Sequence, residues 1–230
     1  MQLHGNYRHE LKYQISYADY LAIRQRLRPV MKSDPHTDAD GRYTIRSIYF
    51  DNVDDKALRE KLDGIQIREK FRIRYYNDDF SFITLEKKFK YNNLGMKFDA
   101  FITEQECRKL LSGGLDWMIK NPNELVRELY CKMKYQQLKP RVLVSYTREP
   151  YIYAAGNVRV TFDSEIRSTL YHSSFLESCV QDISATDHPT DRLMEVKFDS
   201  YLPDIIADLL QQDGLRQQAF SKYGACRRFG

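Results

Sequence analysis

The sequence has only four cysteines, and they are widely scattered: Cys107, Cys131, Cys179 and Cys226. No CxxC pair occurs, so neither a zinc site nor a disulfide framework is indicated. No run approaches the roughly 18 apolar residues of a membrane span, and the first residues lack the apolar core of a signal peptide. We therefore expect a soluble protein of the reducing cytoplasm. Any role at a membrane would need a membrane-protein partner.

The sequence also lacks the short motifs of the common nucleotide-binding and acyl-transfer enzymes. Neither GxxxxGK[ST] nor GxGxxG nor a nucleophile elbow occurs. The net charge is only +4, because 36 Lys and Arg are nearly balanced by 32 Asp and Glu. This balance is mild for a protein that coats nucleic acid. A strong positive field must therefore come from local clustering of basic residues.

Such clustering is present, because three short segments carry basic residues at every second position. These residues are Arg68, Lys70, Arg72 and Arg74; Lys88 and Lys90; and Arg8 and Lys12. A strand points successive side chains to opposite faces, so a spacing of two puts each set on one side. Cations that share a face repel each other unless an anion lies opposite. The pattern favours a dense polyanion as ligand; the alternative is a solvated face balanced by Glu86, Asp78 and Asp79.

The alternation of apolar and polar residues predicts an α+β fold in a single domain over residues 1–230. Strands are expected at about 6–14, 42–52, 65–77, 80–90, 94–103, 141–153, 157–169 and 192–199. Helices are expected at 17–31, 54–64, 103–114, 123–138 and 203–214. The strands are mostly antiparallel, with charges on one face. An open sheet would expose that face to water, whereas a barrel would turn it into a lumen. The single sign of the charges in the alternating row Arg68, Lys70, Arg72 and Arg74 favours an antiparallel β-barrel or tunnel of about eight strands, with a charged lumen and surrounding helices.

Phosphate is the anion that these side chains suit best. The planar fork of arginine grips phosphate oxygens and lysine acts as a point charge, so Arg72, Arg74 and Lys88 suit adjacent phosphates. Carboxylates stand among the cations at Glu10, Glu86, Asp163, Glu165 and Glu195. They could hold a divalent cation whose remaining ligands are substrate phosphates. The simpler interpretation is charge pairing with neighbouring cations.

Tyrosines accompany the basic residues and leave a nucleic-acid interpretation open. They are Tyr75, Tyr76, Tyr146, Tyr151 and Tyr153. Tyrosine rings interleaved with arginine can stack on the bases of a single strand. Tyrosine is equally common in half-buried strands, where it packs against neighbours. A nucleic-acid site would require these rings to be exposed in a groove.

The order of seven short motifs resembles the VTC domain, the polyphosphate polymerase domain of the triphosphate tunnel metalloenzyme superfamily. The motifs are RHELKY, FRIRY, LEKK, YTREPY, VRVTFD, MEVKF and FSKY, in this order from about residue 7 to residue 223. The resemblance implies a tunnel of antiparallel strands lined by Arg and Lys, which binds triphosphate or polyphosphate with manganese or magnesium. In the family's polymerases, the γ-phosphate of ATP is transferred to a growing polyphosphate chain.

The resemblance also implies roles for individual residues. The catalytic, phosphate-contacting positions correspond to Lys12, Arg72, Arg74, Lys88, Arg148, Arg159 and Lys222. The metal-binding positions correspond to Glu195 and to Glu10, which stands on the strand that carries ExExK in related enzymes. Further substrate-binding positions are Arg8, Lys70, Lys97 and Lys197.

Two departures from the family pattern bear on the activity. Arg8 replaces the first glutamate of ExExK, which suits the polymerase branch better than the hydrolase branch. Ala219 stands where the polymerases tend to have a lysine, three residues before the position of Lys222, so one expected contact to the polymer is lost. Phosphoryl transfer depends mainly on positioning and charge neutralisation, and a ring of cations with one metal can suffice.

The sequence thus predicts a metal-dependent polyphosphate polymerase-like phosphotransferase. Its expected ligands are ATP, inorganic polyphosphate, triphosphate or pyrophosphate, with Mn²⁺ or Mg²⁺ as cofactor. No nucleic acid and no direct membrane insertion are expected. The alternatives are an inorganic or nucleoside triphosphatase, and a non-catalytic sensor that binds polyphosphate or nucleotide without turnover.

Overall fold

The structure, a computed structural model, describes residues 8–92, 94–169, 172–178, 180–186, 188 and 190–227. The described chain forms ten strands: β1 (His9–Ile15), β2 (Lys32–Ser33), β3 (Tyr43–Asp51), β4 (Ile67–Tyr76), β5 (Asp79–Tyr91), β6 (Leu94–Ile102), β7 (Lys139–Tyr153), β8 (Val158–Thr169), β9 (Ile183–Ser184) and β10 (Arg192–Phe198). Its α-helices are α1 (Tyr17–Leu27), α2 (Lys56–Leu62), α3 (Glu104–Leu111), α4 (Asp116–Ile119), α5 (Glu124–Tyr135), α6 (Asp204–Leu210) and α7 (Lys222–Cys226). Two short 3-10 helices lie at Ala155–Asn157 and His172–Leu176.

All the strands belong to one antiparallel sheet. Its order is β1-β10-β8-β7-β3-β4-β5-β6, with β2 added to β7 and β9 added to β8. The predicted α+β class and the predicted eight long strands are confirmed. The two-residue strands β2 and β9 are additions, because two residues are too short to show an alternating pattern.

The sheet curls until its edge strands approach each other. Among the described residues, β1 and β6 share one antiparallel bridge, in which Arg8 N donates to Gly95 O at 3.4 Å. On the charged face, Lys88 Nζ of β5 lies 2.6 Å from Glu10 Oε2 of β1. The prediction of a closed barrel is wrong in one respect. In the described chain this bridge is not continued into a ladder of hydrogen bonds, so backbone hydrogen bonds do not close the sheet.

The two faces of the sheet differ as the alternation predicts. On β4, Phe71, Ile73 and Tyr75 are buried against α3, α4 and α5, which cover the apolar face of β3 to β6. The apolar faces of β1, β10, β8 and β7 are covered in the same way by α1 and α6. Arg72 and Arg74 alternate with these apolar residues and lie on the opposite face. Because the helices cover the apolar face, the basic rows lie on the inner face of the curled sheet.

Local sequence signals explain several of the element boundaries. Ser16 and Thr103 form the capping boxes that begin α1 and α3. Asn77 and Asp78 have φ angles of 49° and 54° and form the two-residue turn between β4 and β5. The short helices α4 and α7 were not predicted, because four or five residues are too few to show helical periodicity.

Two expectations from composition concern disulfide bonds and membrane-spanning helices. Cys107, Cys131 and Cys226 are free thiols, in agreement with the absence of a disulfide pattern, and Cys179 lies outside the described residues. In the part of the chain that the structure describes, no helix has the length and apolar character needed to cross a membrane.

Candidate functional site

The charged face of the sheet gathers seven cations and four carboxylates, which we call the inner cluster. Its cations are Lys12, Arg72, Arg74, Lys88, Arg148, Lys197 and Lys222, and its carboxylates are Glu10, Glu86, Asp163 and Glu195. These residues come from β1, β4, β5, β7, β8, β10 and α7. Cations outnumber carboxylates, so the cluster as a whole attracts anions.

One half of the inner cluster is built around two buried carboxylates, Asp163 and Glu195. The β7–β8 register places Arg148 opposite Asp163, and its Nε and Nη2 donate to the two carboxylate oxygens at 2.6 and 2.7 Å. Lys222 Nζ joins the two acids, at 2.5 Å from Asp163 and 2.9 Å from Glu195. Lys12 lies opposite Glu195 across β1–β10, with Nζ 3.4 Å from Oε1. Each buried charge in this half therefore has a partner.

The other half is built around Glu86 of β5, which is 2% exposed. The β4–β5 register places Arg72 opposite Glu86, and its Nε and Nη2 lie 2.6 and 2.5 Å from Oε2. Arg74 Nη1 and Lys97 Nζ lie 3.4 and 2.8 Å from Oε1. Three cations thus share one carboxylate, although Lys97 also contacts Asp99 at 2.7 Å.

Glu10 lies at the margin of the inner cluster, where β1 approaches β5. Its carboxylate pairs with Lys88, as described above, and its Oε1 lies 3.7 Å from Lys197 Nζ. The same ammonium group lies 3.4 Å from Glu195 Oε2. Lys197 therefore stands between Glu10 and Glu195, the two residues for which the resemblance implies metal binding.

Tyr146 of β7 connects the two halves. Its hydroxyl accepts a hydrogen bond from Arg74 Nη2 at 3.4 Å. The ammonium of Lys222 lies 4.8 Å from the centre of its ring, and the guanidinium carbon of Arg148 lies 5.3 Å from it. Since the face of an aromatic ring attracts cations, this tyrosine helps to hold three like charges close together.

The segment before α7 fixes Lys222 in the cluster. Gln218 N donates to Lys12 O at 2.8 Å, which ties this segment to β1. Tyr223 OH donates to Asp51 Oδ2 at 2.6 Å, which ties α7 to the end of β3. A five-residue helix has little stability of its own, so these tertiary contacts position Lys222.

Burial and charge set the protonation states of the cluster. Burial by itself would raise the pKa of Glu195, but Lys12 and Lys222 outweigh it and hold that pKa well below its usual value. Burial and, next to it, the charge of Lys12 lower the pKa of Lys70, a neighbour of the cluster on β4, to about 7. Burial also lowers the pKa of Lys197 to about 8, although Glu195 opposes the change. The site thus holds a charged acid beside two lysines that titrate near neutral pH.

Four buried polar atoms along the charged face have no hydrogen-bond partner among the described residues. They are Ser47 Oγ, Arg74 Nε, Arg159 Nε and Thr161 Oγ1. A buried donor without a partner costs about 1–3 kcal/mol. Phosphate oxygens accept hydrogen bonds from arginine and from hydroxyl groups. The unpaired donors are therefore consistent with an oxyanion ligand at this face.

The structure places the remaining predicted residues around the inner cluster. Arg159 Nη2 donates to Asp34 Oδ2 and to Tyr43 OH, both at 2.7 Å. Arg8 pairs with Asp199 at 3.0 Å and contacts no residue of the inner cluster among its described partners. Lys97 contacts the inner cluster through its ion pair with Glu86, and Lys70 donates a hydrogen bond to Ser221 Oγ at 3.4 Å. The described hydrogen bonds and ion pairs of Arg8, Arg159 and Lys70 thus lie outside the inner cluster.

Several residues of the site were not assigned a role from the sequence. Asp163 and Glu86 were recognised only as carboxylates among cations; Glu86 stands two residues before Lys88, whereas Asp163 has no basic residue at that spacing. Tyr146 was expected to stack on bases or to pack. It is buried, as are Tyr75 and Tyr151, so these rings have a packing role and not an exposed stacking role. Asp34, the partner of Arg159, lies in a loop and has no signal in the sequence pattern.

The carboxylates could contribute to a metal site but do not complete one. Among the described residues, no group of three or more His, Cys, Asp or Glu is arranged to hold a metal ion. Glu10 and Glu195 could supply carboxylate oxygens on either side of Lys197, and phosphate oxygens would have to supply the other ligands. This donor set fits a hard divalent ion that binds together with a phosphate ligand.

One solved structure shows that the fold is shared. The PH1819 protein from Pyrococcus horikoshii OT3 is 14% identical, with a TM-score of 0.50 over 97% of this chain and 100% of that chain. A Bacillus halodurans protein with a provisional description as an adenylate cyclase is 15% identical, with a TM-score of 0.49 over 89% and 87% of the two chains. Such likeness concerns the fold alone.

At the level of sequence, no curated protein matches the chain. A family profile does match it, and the match runs over residues 7–229, which is nearly the whole sequence. The profile is that of the VTC domain, whose motif order the sequence resembles from RHELKY to FSKY. The chain therefore belongs to the VTC domain family.

Proposed function

We propose that this chain is a metal-dependent polyphosphate polymerase-like phosphotransferase, which moves the γ-phosphate of ATP onto inorganic polyphosphate bound in a basic tunnel. The observation that carries the proposal is the inner cluster: seven cations face four carboxylates on the buried side of a curled sheet. Membership of the VTC domain family supports the same assignment.

The curl of the sheet supports the proposed tunnel. The edge strands meet at the bridge between Arg8 and Gly95, and Glu10 reaches Lys88 across the charged face. A linear phosphate chain that runs along this face would pass both halves of the inner cluster. Lys88, Arg72 and Arg148 come from three different strands, so the charge of the polymer would be neutralised from several sides.

The residues can act without a protein nucleophile. Arg72, Arg74 and Arg148 would hold the phosphates of ATP and of the polymer in line, and their present carboxylate partners keep the buried guanidinium groups neutralised when no phosphate is bound. A divalent ion at Glu195 and Glu10 would supply neutralisation of the charge on the phosphates. The terminal phosphate oxygen of the polymer is already ionised, so the transfer needs no general base.

The arrangement favours transfer to a phosphate over transfer to water. Hydrolysis needs a group that orients the attacking water. In the described part of the site, Glu86, Asp163 and Glu195 are all engaged in ion pairs. A triphosphatase is therefore the second assignment, and a sensor without turnover, suggested by Ala219, is the third.

Incubation with ATP, Mn²⁺ or Mg²⁺ and a short polyphosphate primer tests the proposal. We expect the ATP to be consumed and long polyphosphate to appear on a denaturing gel. Release of orthophosphate alone would replace the polymerase with a triphosphatase. Polyphosphate binding without turnover under either metal would identify a sensor, and absence of both binding and turnover would reject a phosphate site.

Proton uptake provides a separate test of the charged face. Because burial and nearby cations hold the pKa of Lys70 at about 7, most of this lysine is neutral at pH 8. A bound polyanion favours the charged form and raises that pKa, so binding should take up protons at pH 8 and less at pH 6, where Lys70 is already charged. Titration calorimetry of long-chain polyphosphate in buffers of different ionisation enthalpy measures the uptake.

The Lys70→Met variant is the comparison for this measurement. It removes the titrating group and leaves the other ionisable groups of the site in place, so uptake at pH 8 should fall relative to the parent. Equal uptake by the parent and the variant would show that Lys70 does not meet the ligand.

A further inference from the structure

Beyond the inner cluster, the charged face carries a second group of cations, which we call the outer cluster. It consists of Lys61 of α2, Arg68 and Lys70 of β4, and Lys90 of β5. Arg68 and Lys70 continue the alternating row that contains Arg72, so they lie on the same face of β4. All four side chains belong to half-buried residues.

The outer cluster differs from the inner one in having no carboxylate partners. Among the described residues, no Asp or Glu lies within ion-pair distance of its four cations. Arg68 donates to the backbone oxygen of Ile65, and Lys70 contacts Ser221 and the ring of Tyr223. Its positive charge is therefore not neutralised by the protein.

The strand register increases the repulsion. Arg68 lies directly opposite Lys90, and Lys70 lies opposite Lys88. Like charges directly opposite each other on neighbouring strands destabilise a sheet. Since Lys88 is neutralised by Glu10 whereas Arg68 has no such partner, the uncompensated repulsion is concentrated at the outer end of the row.

The mutual repulsion is also visible in the protonation of the three lysines. Burial is the main cause that lowers the pKa of Lys61, of Lys70 and of Lys90, and the charge of Arg68 contributes to each. Lys88 also acts on Lys70 and Lys90, and Glu10 partly offsets the effect at Lys90. Arg68 faces Lys90 across the two strands and Lys70 stands next in the same row, so these three cations can contact one anionic ligand.

The length of the row shows what that ligand would be. At roughly 3.3 Å per strand residue, Arg74 and Arg68 are about 20 Å apart along β4. A triphosphate is too short to reach both ends of such a row, whereas a longer linear chain of phosphates can follow it. A half-buried group of cations without acids could also attract isolated anions, but only a linear polyanion would use both clusters at once.

We propose that the outer cluster is a separate subsite for the more distant phosphate groups of a linear polyphosphate whose end is held at the inner cluster. The polymer then leaves the inner cluster along β4 and β5 towards α2. This subsite rests on the proposed function, since it needs a phosphate chain at the inner cluster. It adds the direction in which the chain extends and the residues that hold it.

The test compares tripolyphosphate with long-chain polyphosphate on an Arg68→Gln/Lys90→Gln double variant, without metal or ATP. Tripolyphosphate, which reaches the inner cluster alone, should bind within twofold of the parent. Long-chain polyphosphate should bind about tenfold more weakly, which corresponds to about 0.7 kcal/mol for each removed cation. Its affinity should also depend less steeply on salt, because fewer counterions are released.

The matched control is Lys109→Gln/Lys120→Gln, which removes the same charge at exposed lysines near the ends of α3 and α4. It should leave the affinity for both ligands unchanged. Parent-like binding of long-chain polyphosphate by the Arg68→Gln/Lys90→Gln variant would overturn the outer subsite and leave the inner site intact. Equal weakening for both ligands would also overturn it, since the outer cations would then act on the inner site. If the parent binds neither ligand, the proposed function itself fails.

Discussion

An Arg72→Gln variant should bind tripolyphosphate about 100-fold more weakly than the parent. A charge-assisted hydrogen bond contributes about 1.5–3 kcal/mol, and the upper part of this range corresponds to about 100-fold in affinity. The upper part applies because the substitution has two effects of the same sign. It removes a guanidinium from the inner cluster, and it takes from Glu86 its closest partner, so the carboxylate repels the incoming phosphate more strongly.

The variant should nevertheless fold. Glu86 keeps Lys97 at 2.8 Å and Arg74 at 3.4 Å, so its charge is not left alone in a buried place. Circular dichroism and thermal unfolding check this expectation, and titration calorimetry at two salt concentrations measures the affinity. Salt should weaken binding to the parent more than to the variant.

Arg108→Gln is the matched control, because Arg108 is an exposed arginine on α3 whose partner is Glu104. Its removal changes the net charge by the same amount at a distance from the charged face. We expect less than a twofold change in affinity. If a folded Arg72→Gln protein binds tripolyphosphate as the parent does, Arg72 makes no contact with phosphate and the inner cluster is not the binding site.

Much of the fold could be predicted because the alternating pattern is local. The spacing of two along residues 68–74 fixes which side chains share a face, and the capping boxes at Ser16 and Thr103 fix where two helices begin. The curl of the sheet has no such local signal. It depends on β1 meeting β6 at Gly95, which joins positions far apart in the sequence. How far the sheet closes on itself could therefore be seen only in the structure.

The candidate site, like the fold, could be predicted only in part from the sequence. The basic rows were visible in the sequence, and the family resemblance related Arg148 and Lys222 to them. The partners were not visible, because they depend on strand register and on loops: Arg148 meets Asp163 across β7 and β8, and Arg159 meets Asp34 from the loop after β2. Pairing is a tertiary property, which composition and spacing do not encode.

The position of α7 illustrates a second limit. Lys222 could be related to the family by the motif FSKY, but a helix of five residues has no readable period. Its place between Asp163 and Glu195 follows from backbone and side-chain contacts of residues 217–223 with β1 and β3. The motif therefore indicated the residue, and only packing showed its partners.

A Lys222→Met variant should lose about 3–5 kcal/mol of unfolding free energy, the largest stability change that we expect in this protein. Removal of one partner from a buried ion pair costs up to about this much. Here two buried carboxylates lose a partner at once, although Asp163 keeps Arg148 and Glu195 keeps Lys12. Lys222 is the cation closest to both Asp163 and Glu195. Methionine keeps the unbranched shape of the side chain, so the loss reports on charge more than on volume. For a chain of this length, thermal unfolding should shift downward by about 10 °C.

A double-mutant cycle separates the ion pair from packing. Asp163→Asn alone should also destabilise the protein, because it leaves Arg148 and Lys222 close together with one carboxylate fewer. In a Lys222→Met background, Asp163→Asn removes a carboxylate charge that has already lost Lys222 as a partner. The double variant should therefore be more stable than the sum of the two single losses predicts. Strictly additive losses in chemical denaturation would show that Lys222 and Asp163 do not interact. Tripolyphosphate should stabilise Asp163→Asn more than the parent, since a phosphate group can take the place of the missing carboxylate beside Arg148 and Lys222.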